Sequence, residues 1–312
     1  MITIKDELIN AEKLLKSANI PDFKNSVRLI FCKVYNIPSN EFESYTIKNE
    51  NNEFDCKLLS SFRKFIRKRF KHHPLISILG YREFMDLVIP YSKNVLIPRD
   101  ETEILADMVV GDILKFSKSN KKKEINVLDM CTGSGCLGLS ITYAVKKVNS
   151  SASITTTLAD IRSTALRVAK KNLEYNQARL ENANSECFKN VNFVKTNLFE
   201  KIEEKFDIIV CNPPYIKRGD LENLEIEVKD FEPRLALDGG DDGLDFYRKI
   251  IDIAPNYLDD CGLKTIYFEI GIDQSKDIAK LLKKDFEDIK ILKDYANIDR
   301  YIIAKKRVEN VK

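Results

Sequence analysis

The residues best placed to do chemistry lie in two short stretches. In VLDMCTGSGCLGLSI, Gly133, Gly135 and Gly138 form a G-x-G-x-x-G directly after an apolar run, and Asp160 ends the next such run 25 residues beyond Gly135. Glycines at a strand-to-helix turn let a ligand approach the backbone, and the following helix offers unpaired N–H groups. A carboxylate at the neighbouring strand tip can accept hydrogen bonds from ribose hydroxyls. This combination predicts a cofactor that carries adenosine, either a dinucleotide or S-adenosylmethionine.

The second stretch, Asn212-Pro213-Pro214-Tyr215, follows the apolar run Phe206–Val210. Two prolines remove two backbone donors and fix two φ angles, so the corner is stiff. An Asn amide can both give and accept hydrogen bonds to a planar –NH2 group, carbonyls near the prolines can accept a second N–H, and a Tyr ring can cover a flat substrate. Methyl transfer to an amide or exocyclic amine nitrogen needs such a set, because that lone pair is delocalised and has to be aimed in line. A dinucleotide oxidoreductase would instead need an acid–base residue. The two histidines, His72 and His73, lie far upstream of both stretches. With seven cysteines, no CxxC pair and so few histidines, no metal site is expected.

The elements that must position these residues follow from patterning. The chain has 312 residues and suggests two domains. Residues 1–76 read as short amphipathic helices broken at Pro21, Pro38 and Pro74, residues 77–98 as a hairpin linker with extended pieces at 83–85 and 95–97, and residues 99–312 as the catalytic domain, opened by a helix at Asp100 whose carboxylate can cap the first turn. Strand-like runs at 125–128, 154–158, 191–194, 206–210 and 265–268 alternate with helical stretches such as 162–175, and runs at 289–292 and 301–304 add an edge pair. The fold class is therefore α/β, a doubly wound, seven-stranded, mostly parallel Rossmann-like sheet with a small N-terminal helical domain. The Asn-rich piece 177–190 reads as a loop.

No apolar run approaches the roughly 20 residues of a membrane span, and the start of the chain reads as an amphipathic helix, so a cytoplasmic protein with reduced thiols is expected. The net charge is only +3. Its distribution is uneven, because residues 1–73 carry 14 Lys or Arg against 9 Asp or Glu. Much of the excess sits in helix 60–71, where Arg63, Lys64, Arg67, Lys68 and Lys71 fall opposite Phe62, Phe65 and Ile66. That face reads as a solvated surface, with contact to an acidic partner or to nucleic acid as its secondary role.

The chain resembles the peptide chain release factor glutamine methyltransferases of the HemK/PrmC type over nearly its whole length. The resemblance is carried by HHPLISILGYREF, VLIPRDETE, VLDMCTGSG, IIVCNPPYI, FEPRLALDGGDDGLDFYRKII and YFEIGIDQ. It implies a class I methyltransferase domain that transfers methyl from S-adenosylmethionine, leaving S-adenosylhomocysteine, to the Gln of the Gly-Gly-Gln loop of class I release factors. It further implies that Cys131, Thr132, Gly133, Ser134 and Gly135 wrap the methionine end of the cofactor, that Asp160 holds the ribose, that Leu198 lies by the adenine, and that Asn212 meets both cofactor and substrate. Asn212, Pro213, Pro214 and Tyr215 then clamp the glutamine, with Asn212, Pro213 and Tyr215 as the catalytic set. Three positions depart from the family pattern: Cys131 replaces a common glycine, Asp100 a common proline and Asn197 a common Asp. A DNA or RNA amino-methyltransferase shares the Asn-Pro-Pro-Tyr corner and is the alternative, and a noncatalytic cofactor-binding module is the alternative of another class.

Overall fold

The computed structural model describes residues 2–119, 124–180 and 185–307. These divide into two compact units, one of residues 1–82 with 225–231 and one of residues 83–224 with 232–312. The chain passes between them inside the expected linker, and the small segment after Leu224 groups with the helical unit.

The helical unit contains α1 (Ile4–Ser17), α2 (Phe23–Tyr35), α3 (Phe42–Asn49), α4 (Cys56–Phe70) and α5 (Leu75–Leu79). Pro21, Pro38 and Pro74 fall in the breaks, as a residue without an N–H must. Thr3 caps α1 and Asp55 caps α4 through side-chain acceptors. Phe31 packs edge-on against Phe54 and Phe62 at the centre, with Leu15 and Ile30. On α4, Phe62 and Ile66 are buried while Lys64, Arg67 and Lys68 are exposed. Arg63 is not a free member of that face, because its guanidinium holds the buried Glu7 through two bonds of 2.7 and 2.8 Å. Arg69 points inward and is held by Ser26, Asp22, the His73 carbonyl and Glu227.

A two-residue turn at Met85-Asp86, with Met85 at φ 51°, joins β1 (Tyr81–Phe84) to β2 (Leu87–Pro90). The second arm of the hairpin is therefore 87–90 and not the expected 95–97. The larger unit continues with α6 (Asp100–Ser119), β3 (Glu124–Met130), α7 (Cys136–Val148), β4 (Ser153–Asp160), α8 (Ser163–Arg179), β5 (Val191–Lys195) and β6 (Ile208–Cys211). After α9 (Ile226–Lys229), which belongs to the helical unit, come α10 (Asp245–Ile253), β7 (Thr265–Glu269), α11 (Ser275–Leu282), β8 (Phe286–Lys293) and β9 (Asp299–Lys306). Asp100 is the first helical residue of α6, and Asp100, Glu101 and Glu103 put negative charge in its first turn, where the helix dipole favours it. Of the expected loop 177–190, residues 177–179 end α8, 185–188 form a 3-10 turn, and 181–184 lie outside the described residues.

The seven strands lie in the order β5-β4-β3-β6-β7-β9-β8, all parallel except β9, which runs against both neighbours. Successive side chains alternate between two cores, as a pleated strand requires. Ile208, Val210 and Tyr267 enter one core with residues of α6, α7 and α8, whereas Ile209, Cys211, Ile266 and Phe268 enter the other with residues of α10 and α11. The central strands are buried on both faces, and the order reverses at β3, leaving a crevice at the carboxyl ends of β3, β4 and β6.

Candidate active site

The crevice is a cavity of about 320 Å3. Cys131 to Ser134, Asp160, Leu198, Asn212 and Pro214 all line it. Gly135, Pro213 and Tyr215 do not face it directly. The two stretches singled out in the sequence thus come together, although more than fifty residues separate Asp160 from Asn212.

The turn after β3 takes Cys131, Gly133 and Gly135 into left-handed backbone, at φ 62°, 56° and 78°. Cys131 therefore stands in a conformation that a glycine would adopt without strain. Gly135 is required twice, by its φ and because a Cβ there would lie 2.9 Å from that of Ala169. Gly138 is required by packing, since its Cβ would fall 2.3 Å from Leu158 Cδ2. Gly133 differs, because a Cβ there would meet only the Cys131 carbonyl, at 3.9 Å, and otherwise open space.

Two carboxylates hold this turn. Asp129 Oδ2 accepts from the Thr132 hydroxyl at 2.6 Å and the Gly138 N–H at 2.9 Å, and burial pushes its carboxyl up to about 7 despite those donors. Asp160 accepts from the Gly133 N–H at 3.0 Å through Oδ2 and from the Arg162 N–H at 2.8 Å through Oδ1. Each carboxylate oxygen has a second lone pair, so Asp160 keeps acceptor capacity on its cavity side. Asn172 of α8 adds a bond to the Ser134 carbonyl. Leu198, at φ 52°, is held over the cavity by the Thr196 hydroxyl, which donates to its carbonyl.

Asn212 continues from the end of β6. Its Nδ2 donates to the Thr102 hydroxyl at 3.3 Å, and that hydroxyl donates to Glu269 Oε2 at 2.7 Å. Thr102 and Glu269 are 3% and 1% exposed. Burial raises the Glu269 carboxyl to about 7, against the pull of Thr102 and Arg300. Burial likewise raises Tyr215 to about 12, so its phenol is protonated at neutral pH.

The backbone of the corner is clamped from behind. Gln274 Nε2 donates to the Tyr215 carbonyl at 2.9 Å and to that of Gly243 at 3.2 Å, while its Oε1 accepts from the Gly271 N–H. Ile216 donates its N–H to the Leu237 carbonyl and its own carbonyl accepts from the Gly239 N–H, and a Cβ on Gly239 would lie 2.7 Å from Tyr215 Cα. Arg99 pairs with the buried Glu232 at 2.5 Å. Residue-level reading of the sequence missed Thr102, Asp129, Asn172, Glu269 and Gln274. Four of the five lie within or beside the motifs RDETE, VLDMCTGSG and FEIGIDQ, so the motifs were the available signal.

Fold and crevice define a class I S-adenosylmethionine-dependent methyltransferase. The family described as "Methyltransferase small domain" matches residues 112–228. The solved hMettl16 catalytic domain, in complex with the MAT2A 3′UTR hairpin 6, superposes with a TM-score of 0.53 at 15% identity, covering 76% of this chain and 83% of its own, a likeness of fold alone. The release factor glutamine methyltransferase of Clostridium acetobutylicum is 36% identical over 309 residues, covering 96% of this chain and 98% of that protein. That of Clostridium botulinum is 37% identical over 313 residues, covering 97% and 99%. The chain belongs to the release factor glutamine methyltransferase family.

Proposed function

We propose that this enzyme transfers a methyl group from S-adenosylmethionine to the side-chain amide nitrogen of the glutamine in the Gly-Gly-Gln loop of class I release factors. The observation that carries this reading is the convergence of the glycine turn, Asp160 and Asn212 on one cavity, in a chain of this family.

The residues present fit the cofactor. Gly133 leaves the cradle bare where a side chain would fill it, Asp160 retains free lone pairs for ribose hydroxyls, and Leu198 offers an apolar wall for adenine. Cys131 to Gly135 would wrap the methionine end. When bound, the cofactor supplies an electrophilic methyl group on a sulfonium. Of the departures, Cys131 adopts the glycine-like backbone, and Asn197, which also lines the cavity, bonds to Glu200.

Asn212 Oδ1 and the Pro213 carbonyl would take the two N–H groups of the substrate amide, Pro214 would hold the corner stiff, and Tyr215 would cover the substrate. An amide nitrogen is a poor nucleophile, so alignment supplies most of what the protein can offer. The transfer discharges the sulfonium, which favours a weakly polar pocket over a strong base. The proton on the methylated nitrogen is very acidic and leaves to water without a dedicated base.

The helical unit would serve substrate recognition, with Lys64, Arg67 and Lys68 offering positive charge to the release factor or to nearby RNA. No helix among the described residues is long and apolar enough to cross a membrane. The test is radiolabelled methyl transfer to purified release factors, to a variant whose loop Gln is replaced, and to DNA and RNA. Label is expected only on the Gln-containing factor. Asn212→Ala should abolish transfer while cofactor binding stays measurable, and full activity in that variant refutes the assignment.

A further inference from the structure

We propose that Thr102 and Glu269 form a positioning relay that sets which way round the Asn212 amide stands, with Oδ1 turned outward to the methyl acceptor. The inference deepens the proposed function and rests on it for the identity of the acceptor.

An asparagine amide has one accepting and one donating end of nearly equal shape, and only the accepting end can take an N–H of a substrate amide. Its direction has to be imposed by its neighbours. Thr102 has a single hydroxyl proton, and Glu269 Oε2 takes it at 2.7 Å. The Thr102 oxygen is left with lone pairs alone toward Asn212, whose Nδ2 lies 3.3 Å away. A flipped amide would set Oδ1 against those lone pairs and against the Glu269 carboxylate, which the Asn212 amide also helps to hold in its charged form. Both members of the relay are buried, although Thr102 also lines the wall of the cavity. The relay is also anchored from two other sides, because Tyr247 donates to the Glu269 carbonyl at 2.8 Å and Tyr301 donates to the carbonyl of Glu101, the neighbour of Thr102. An ionised acceptor at the far end thus gives the whole chain one polarity.

The test uses the full chain at pH 8, with purified release factor as acceptor. Thr102→Val keeps the shape and removes the hydroxyl, and kcat is expected to fall about 10- to 30-fold while cofactor Kd and acceptor KM stay within about twofold. Thr102→Ser should recover to within about threefold of wild type. Should the valine variant fail to fold, Glu269→Gln carries the same test, because a neutral amide can either accept the hydroxyl O–H or donate an N–H to the hydroxyl oxygen and no longer sets a direction, so kcat should fall several-fold. A readout independent of the acceptor is hydrogen exchange of the Asn212 side-chain NH2 in protein labelled with 15N-asparagine, assigned by its loss in Asn212→Asp. Exchange should speed up about tenfold in Thr102→Val. An unchanged exchange rate, a loss confined to KM, or a serine variant as slow as the valine overturns the relay. If wild type transfers no methyl to any release factor, the substrate reading fails while the exchange rates still decide the relay.

Discussion

Adding one methyl group at Gly239 should separate catalysis from cofactor binding. A Cβ there would lie 2.7 Å from Tyr215 Cα and 2.9 Å from both the Pro214 carbonyl oxygen and Tyr215 C. All three are backbone atoms of the stiff corner, so no rotamer change can relieve the contact. Moving 2.7 Å out to an ordinary 3.4 Å displaces the corner by on the order of 0.7 Å. Misplacement of about 1 Å can cost a reaction 100-fold, so Gly239→Ala should lower kcat roughly 10- to 100-fold, or about 1.4–2.7 kcal/mol in the barrier. Overpacking should also cost about 1–3 kcal/mol of stability. Gly219→Ala is the internal control, since its Cβ would have nothing within 4 Å and its φ is not left-handed. Single-turnover transfer with saturating release factor reads the chemical step, calorimetric titration reads cofactor affinity, and thermal melting confirms that both variants are folded. A folded Gly239→Ala enzyme with wild-type kcat, or one that loses cofactor affinity in step with rate, would refute the idea that the glycine strip sets the position of the corner.

Three further outcomes follow from other parts of the molecule. Asp129 and Glu269 both titrate near 7 when folded, well above a free carboxyl, so the folded state binds more protons than the unfolded one between about pH 4 and 7, and stability should fall as pH rises through that window. Denaturation midpoints should show a shallower fall in Asp129→Asn, and an identical slope would count against it. Replacing Arg69 by Met leaves Asp22 and Glu227 without their cation and should cost roughly 2–3 kcal/mol in urea unfolding, discounted because both carboxylates are partly exposed, with Arg69→Lys a poor rescue because one ammonium cannot span four acceptors. Reversing the charges of Lys64, Arg67 and Lys68 should raise KM for release factor more than it lowers kcat, whereas Arg63→Glu should chiefly destabilise the helical unit by facing Glu7, and an unchanged KM at low salt removes this face from substrate binding.

The sheet was legible because its central strands are short apolar runs buried on both faces, and each of the seven expected runs overlaps a strand. The hairpin was half legible. Val95-Leu96-Ile97 has the composition of a strand but pairs with no strand among the described residues, whereas Leu87-Val88-Ile89-Pro90 follows a turn whose left-handed Met85 carries no glycine signal. Helix α8 ran past its expected end because Asn176 bonds to Val88 across 88 residues, a tertiary contact that local polarity does not reveal. Of the basic face expected on α4, Arg63 is engaged by Glu7, a long-range pairing that helical spacing could not show. At the site, the glycine turn, Asp160 and Asn212, which share one cavity, were legible from type and spacing. Those that hold them were not, because Thr102 and Glu269 lie 167 residues apart and Gln274 reaches Tyr215 across 59.

That division has a physical cause. A ligand-facing group must have a particular chemistry, and chemistry is written in residue type. A supporting group needs only to present a donor or acceptor at one point in space, which many residue types can do from many places in the chain. The corner at 212–215 shows why support matters as much as contact. Its prolines limit φ at two positions but leave free the direction of the Asn212 amide and the height of the Tyr215 backbone. Thr102 with Glu269 sets the first, and Gln274 with Gly239 and Gly243 sets the second. A substrate whose nitrogen lone pair is delocalised gains little from a base, so the same stiffness that would be incidental in a turn becomes the main means by which this fold can lower the barrier.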